Sequence, residues 1–263
     1  MTIDGRKIAQ NILDEAKDKL QKSGEKLRLV AVLVGENTEL RKFIELKKKA
    51  AEEIGIDFKI HEFPEDITND KLWKELNKIS KVKTINGVII ELPLPKHLNT
   101  QYLLNAIPEE KDVDVLSQKS QGAFFVGKSK ILPPSVETVK QIFQEYKIEP
   151  KGKTAAVFGY GLLVGKPVSR WLNYKGAVVS VIDEFTKDQV KISKEADIII
   201  SGVSKSNLIT EDMVKENAVV IDFGKDVDFE TVSKKAGLIT PPVGGVGPIV
   251  VASVLKNLVE LLV

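Results

Sequence analysis

Short apolar runs and segments of helical apolar spacing alternate along nearly the whole chain, and this alternation restricts the fold more than any other feature. Ile8, Ile12, Leu13, Ala16 and Leu20 recur at helical spacing, and Leu27 to Val34 is an apolar run broken only by Arg28 and closed by Gly35. The pattern predicts a helix from Leu40 to Ile54 with Gly55 as its C-cap. A strand follows over Phe58 to Phe63, then a helix capped by Thr68 or Asn69 that runs to about Ile79. Gly87 to Leu92 reads as a strand stopped by Leu92-Pro93-Leu94-Pro95. Between Lys111 and Gly127 the periodicity fades, and a helix over roughly Val136 to Tyr146 comes after Pro133-Pro134.

Past Pro150 a second alternation begins. Strands are expected at Thr154 to Phe158, Ala177 to Ile182, Asp197 to Ser201, Ala218 to Phe223 and Leu238-Ile239. Helices are expected from about Lys166 to Tyr174 and from Val250 to Leu262. Beta-alpha alternation twice over means two parallel-sheet α/β units, with a seam between residues 115 and 150. At about 150 residues per domain, a chain of 263 has room for two.

Composition removes several kinds of chemistry. There is no cysteine, so disulfides, thiolate zinc sites and cysteine nucleophiles are excluded together. His61 and His97 stand far apart, which argues against a histidine metal centre or a serine triad, and no metal is expected. The net charge of +2 gives no footprint for nucleic acid. No apolar run reaches the ~18 residues of a membrane span, and the charged start lacks a signal peptide's apolar stretch. A cytoplasmic enzyme is the expectation.

The second half carries the clearest motif. Thr154 to Phe158 runs into Gly159-Tyr160-Gly161-Leu-Leu-Val-Gly165 and then a helix with Pro167 in its first turn. A dinucleotide site needs such a glycine turn, so that backbone amides and a helix N-terminus face the pyrophosphate. The same turn is also ordinary punctuation between a strand and a helix. Asp183 and Glu184 end the next strand, about 20 residues further on, where a carboxylate accepts from ribose hydroxyls and repels a 2′-phosphate. On that ground NAD is favoured over NADP; the plainer alternative is a solvated strand-end acid. Asp222-Phe223-Gly224 spells a kinase tripeptide, but no catalytic loop precedes it. Gly244-Gly245-Val246-Gly247-Pro248 puts three glycines in a turn before a helix, where a backbone can approach a ligand closely or simply turn tightly.

Taken together the motifs resemble the bifunctional methylenetetrahydrofolate dehydrogenase/methenyltetrahydrofolate cyclohydrolase family, over nearly the whole chain. The resemblance lies in Ile3-Asp4-Gly5-Arg6-Lys7-Ile8-Ala9, Val34-Gly35, Lys47-x-Lys49-Ala50 and Gly55-Ile56. It continues in Gly87-Val-Ile-Ile-Glu91-Leu-Pro-Leu-Pro95, Ile107-Pro-x-x-Lys111-Asp-Val-Asp114, Val164-Gly165-Lys-Pro167 and Gly244 to Pro248. The resemblance implies a homodimeric α/β enzyme with a catalytic domain over 1–135 plus 250–263 and a Rossmann-type NAD(P) domain over 136–249. The C-terminal helix would pack back on the first domain. Hydride would leave the one-carbon bridge of 5,10-methylenetetrahydrofolate for the nicotinamide, and water would then convert the methenyl product to 10-formyltetrahydrofolate. NADP is that family's common cofactor. Lys47 matches the catalytic lysine, which without the motif reads as one of three lysines on a helix face. Asp114 matches the pterin-binding aspartate. Leu92, Pro242, Gly244 and Gly245 fall with the substrate, and Gly159, Tyr160, Gly161, Gly165, Asp183, Glu184 and Lys225 with the cofactor.

The departures from that pattern cluster in the site. The family's tyrosine four positions before the lysine is Phe43, which keeps a ring and loses a hydroxyl; the serine before that is Leu40. The family's glutamine partner to the lysine is Glu91. A nearby carboxylate favours the ammonium form of a lysine, the wrong state for accepting a proton from water. The expectation is a retained dehydrogenase and a cyclohydrolase that is weakened, or that uses Glu91 as base. Val115 replaces a glycine after Asp114, Tyr160-Gly161 replace an Arg-Ser pair, and Asp183-Glu184 replace a frequent His-Ser pair that can hold the 2′-phosphate. The segment between Gly224 and Asp226 is shortened. Two alternatives stay open: the same chemistry on another reduced pterin, and a paralogue that binds folate or nucleotide without turnover.

Overall fold

The computed structural model describes residues 1–261 and contains two parallel sheets, each in its own compact unit. One unit joins Gln10–Pro134 to the chain from Val251 onward; the other joins Met1–Ala9 to Ser135–Val250. The first helix, α1 (Gly5–Ser23), and the last, α10 (Val246–Glu260), each begin in the latter unit and end in the former. Leu262, the expected end of that last helix, lies outside the described residues.

In the first unit the strands β1 (Arg28–Val34), β2 (Asp57–Phe63) and β3 (Gly87–Ile90) form a sheet of order β2-β1-β3. Leu29 pairs with Phe58 on one side and with Gly87 on the other, all strands running parallel. The central strand is buried on both faces, so its sequence is a continuous apolar run; the edge strand β2 alternates. Helix α2 (Thr38–Glu53) starts where the Asn37 side chain accepts from the Glu39 and Leu40 amides. It ends at Gly55, whose φ of +86° suits glycine, with the Ile56 amide bonded back to Ala51. Thr68 caps α3 (Asn69–Lys81) through the Lys71 amide.

The expected strand through Leu92 is two residues too long. Glu91 still donates its amide to Val32, but Pro93 has no N–H with which to continue the ladder. A short helix capped by Asn99, α4 (Thr100–Leu104), precedes Lys111, and the stretch that loses periodicity after it holds another, α5 (Gln118–Phe125), capped by Ser117. Only Ser120 of α5 is buried, which is why no apolar period announces it. The C-terminal helix does pack here: Leu258 sits where a Cβ on Gly87 would intrude, and Asn257 donates to the Val113 and Leu132 carbonyls at 2.8 Å each.

The second unit begins with α6 (Pro134–Glu145) and carries β4 (Thr154–Phe158), α7 (Gly165–Tyr174), β5 (Val178–Ile182), α8 (Gln189–Lys194) and β6 (Ile198–Ser201). It continues with β7 (Val219–Asp222), α9 (Phe229–Val232) and β8 (Leu238–Ile239). The parallel order β5-β4-β6-β7-β8 reverses direction between β4 and β6, the switch point at which open α/β sheets take ligands. The first residues of the chain add to the far edge: Thr2 bridges to Ile239, Ile239 donates to Met1 and the amino terminus to Gly237. The linear pattern did not indicate this grouping. Helix α10 starts four residues before the expected Val250, because Pro248 falls in its first turn, where a missing N–H costs nothing. Among the described residues no helix is long and apolar enough to cross a membrane.

Candidate active site

In the first unit the three consecutive lysines of α2, Lys47 to Lys49, part company. Lys47 turns inward and is 5% exposed, while Lys48 is half-buried and Lys49 exposed. Its Nζ donates to both oxygens of Glu91, at 2.7 Å to Oε1 and 2.9 Å to Oε2, and Glu91 is 4% exposed. Phe43, one helical turn earlier, places its ring centroid 4.8 Å from the same ammonium. Two charges taken out of water are costly unless each finds close partners, and this pair is bonded through both carboxylate oxygens. Leu92 follows, half-buried.

Asp114 belongs to the same group electrostatically. Protein crowds its carboxyl although part of the residue stays open, and this loss of solvent pushes its pKa up to about 7. Lys47 pulls the value down, and the negative charges of Glu91 and Asp112 push it up. The turn beneath it is built by Asp112, a buried residue the motif reading passed over. Its carboxylate accepts from the Leu116 amide at 3.0–3.1 Å and from the Ser117 amide at 2.7 Å. Lys111, the motif's lysine, is structural: its Nζ donates to the Ser80 and Val82 carbonyls at the end of α3, and burial lowers its pKa. Between these anchors Val115 is held at φ +59°, buried, where a β-branched residue is strained and the family's glycine would not be.

In the second unit the glycines of the β4–α7 loop separate by role. Gly159 has φ +85° and donates its amide to Ile182 on the neighbouring strand. A Cβ on Gly165 would collide with the Gly159 carbonyl oxygen, and one on Gly202, at the end of β6, with Val164. Gly202 was not among the expected residues, since its constraint comes from a loop far away in sequence. Gly161 is different: a Cβ there would meet nothing within 4 Å. Folding does not need that glycine. Val164 offers α7 no side-chain cap; the Lys166 amide donates to the Gly161 carbonyl at 3.0 Å and Pro167 has none, which leaves the Gly165 amide to face an anion, and the Lys166 ammonium lies 5.8 Å from the exposed Tyr160 ring. These features fit the phosphates of a dinucleotide.

Asp183 and Glu184 follow directly on β5 and are both exposed. Asp183 Oδ1 accepts from the Phe185 amide at 3.0 Å and the Thr186 hydroxyl at 2.9 Å. Asp222 closes a turn of its own by accepting from the Gly224, Asp226 and Val227 amides, and burial raises its pKa. The buried Asp226 then takes the Ser201 hydroxyl and the Val203 and Lys205 amides, fixing the loop after β6. Lys225, between them, is exposed with φ +60°. Gly244 has φ +77°, Pro242 is exposed and Gly245 buried. A Cβ on Gly5 would collide with the Gly245 carbonyl, so two motifs from opposite ends of the sequence are one packing feature.

The sequence agrees with this geometry. Residues 3–114 match the catalytic domain of tetrahydrofolate dehydrogenase/cyclohydrolase, and residues 133–263 match the NAD(P)-binding domain of the same enzymes. The chain belongs to the tetrahydrofolate dehydrogenase/cyclohydrolase family. Among members of this family, the bifunctional protein FolD of Nautilia profundicola is 41% identical over 99% of this chain and 96% of its own. The crystal structure of bifunctional FolD from Campylobacter jejuni has a TM-score of 0.94 at 35% identity, covering 99% of this chain and 98% of that one. FolD from Trypanosoma brucei, solved with NADP and an inhibitor, also has a TM-score of 0.94, at 28% identity over 99% and 96% of the two chains.

Proposed function

We propose that the protein oxidises 5,10-methylenetetrahydrofolate with a nicotinamide cofactor and hydrolyses the methenyl product to 10-formyltetrahydrofolate, the second step being slow. The bidentate Lys47–Glu91 pair carries this reading. When bound, the cofactor supplies a hydride acceptor. Gly159, Tyr160, Gly161, Gly165 and Lys225 would hold it, with Asp183 and Glu184 leaning the choice toward NAD despite the family's use of NADP. No protein base is needed for hydride loss, because the substrate's own nitrogen lone pair drives it. Water attack on the methenyl carbon does need a proton acceptor, and an ammonium bonded to a carboxylate through both oxygens cannot serve. Hydrolysis is then weakened, or uses Glu91 as the base.

Phe43 and Leu92 would line the pterin with Asp114, and the family resemblance also assigns Pro242, Gly244 and Gly245 to substrate binding. An ionised Asp114 accepts two hydrogen bonds from a pterin's ring N–H and amino group, so substrate binds more tightly as pH rises through about 7. The same reading includes a cytoplasmic homodimer that needs no metal, with residues 1–135 plus 250–263 catalytic and 136–249 binding the nucleotide. Another pterin, or binding without turnover, has no observation in its favour.

The test is Glu91→Gln, followed by recording reduced nicotinamide and methenyltetrahydrofolate separately in one cuvette. Wild type should accumulate the methenyl product in step with reduced cofactor. The variant leaves a buried lysine without its counter-ion, which favours the neutral amine, and the methenyl product should drain away faster. A variant that only loses hydrolysis would assign the proton acceptor to Glu91 and defeat the ion-pair argument.

A further inference from the structure

The nicotinamide reading leaves two adjacent carboxylates at the end of β5, and their surroundings divide them. Asp183 is spent on its own turn. Its Oδ1 closes on the Phe185 amide and the Thr186 hydroxyl, its amide donates to the Thr186 hydroxyl, and its carbonyl accepts from the Thr186 amide and the Gln189 side chain. A ribose diol is gripped by both oxygens of one carboxylate, and Asp183 has one of them committed twice. Glu184 is exposed and, among the described residues, makes no hydrogen bond or ion pair within the protein.

The locked turn also fixes Phe185. It is 82% exposed, the most open large apolar side chain among the described residues, although nothing in the fold of this unit asks for a phenyl ring in water. Its position is specific: Phe158 pairs with Ile182 in register, and Gly159 donates to the Ile182 carbonyl. The glycine loop and the Asp183 turn therefore leave the sheet side by side, at its C-terminal edge and next to the switch point. A flat aromatic surface beside a free carboxylate, both next to a loop suited to a pyrophosphate, matches an adenosine: ring for base, carboxylate for ribose.

We infer that Glu184, not Asp183, reads the adenosine ribose and rejects a 2′-phosphate, while Phe185 covers the adenine. This rests on the nicotinamide reading above. Asp183 is a positioning residue, and the cofactor it prepares for carries a free 2′-hydroxyl. The charge on a 2′-phosphate would face the Glu184 carboxylate directly, whereas the diol of NAD would donate to it.

Binding of NADH and NADPH to the full chain, followed by nucleotide fluorescence, tests this without any turnover. Wild type should bind NADH more tightly than NADPH. Glu184→Gln should strengthen NADPH binding about tenfold and weaken NADH only slightly, closing the gap. Phe185→Ala should weaken both nucleotides by a similar factor, about fivefold or more. Thr186→Val, which unbraces the turn, should lower the melting temperature and leave the ratio of the two affinities where it was. If Asp183→Asn moves that ratio and Glu184→Gln does not, the assignment is overturned. If folded wild type binds neither nucleotide, the nicotinamide reading falls first and takes this inference with it.

Discussion

The two parallel-sheet units place their chemistry in opposite materials. In the first, it sits in ionisable side chains, Lys47, Glu91 and Asp112 buried and Asp114 partly open, which bond to one another or to nearby main chain. In the second, it sits in missing side chains, where Gly159, Gly161 and Gly165 let main chain approach main chain or remain open. The difference has a consequence for variation. On the function proposed above, a changed side chain in the first unit would alter protonation and so which reaction runs, and one in the second would alter which nucleotide fits.

That contrast can be broken by substitution, and the largest effect belongs to the buried pair. Lys47→Met leaves Glu91 charged and alone, and should cost about 3–5 kcal/mol in denaturant unfolding. Adding Glu91→Leu should restore most of that stability while abolishing hydrolysis; a double variant as unstable as the single one would mean that the pair itself holds the fold. In the second unit Gly165→Ala should cost about 1–3 kcal/mol, since its Cβ meets a backbone oxygen. Gly161→Ala meets nothing and should leave the melting temperature unchanged, yet weaken nucleotide binding about tenfold. Equal losses of stability at the two glycines would erase the distinction between a folding glycine and a binding one.

Asp114 gives the next effect. Its carboxyl titrates near 7 in the folded chain and near 3.8 when unfolded. Between those values the folded state holds a proton that the unfolded state has released, so stability falls as pH rises from about 4 to 7 and then stays level. Discounted for its partial exposure, the loss is on the order of 2 kcal/mol. Asp114→Asn should flatten that slope in unfolding curves taken across the window; an unchanged slope would place the titration elsewhere. The smallest effect concerns Val115. Both Val115→Ala and Val115→Gly remove the buried isopropyl group, but at φ +59° glycine should be the more stable of the two by about 1 kcal/mol, the reverse of the usual order.

The elements that sequence pattern made legible are those whose burial is uniform. Strand β4 matches its expected limits, and so does β8, because each is a compact apolar run bounded by polar or glycine residues. Helix α5 was hidden because it buries almost nothing and so has no period to read. The site was legible unevenly. Lys47 and Asp114 stood out only through the family resemblance, since the residues that turn Lys47 inward lie 44 positions away. Asp112, Gly202 and Gly5 gave no signal by themselves: the first bonds to main chain, and the other two are defined by atoms they make room for. Asp183 shows the converse. The right spacing drew attention to it, and its hydroxyl and amide partners were local enough to have been suspected from Thr186.

Helix α10 carries a consequence for how the chain is made. Gly87, Val113 and Leu132 are covered by the part of this helix that comes from Val251 onward. A ribosome that has delivered Pro134 has yet to synthesise Ser135–Val250 before that part of the helix emerges, a delay on the order of ten seconds at ordinary elongation rates. Throughout that interval the first sheet must wait with its apolar face uncovered, so the catalytic half, first to be translated, is the last to be complete.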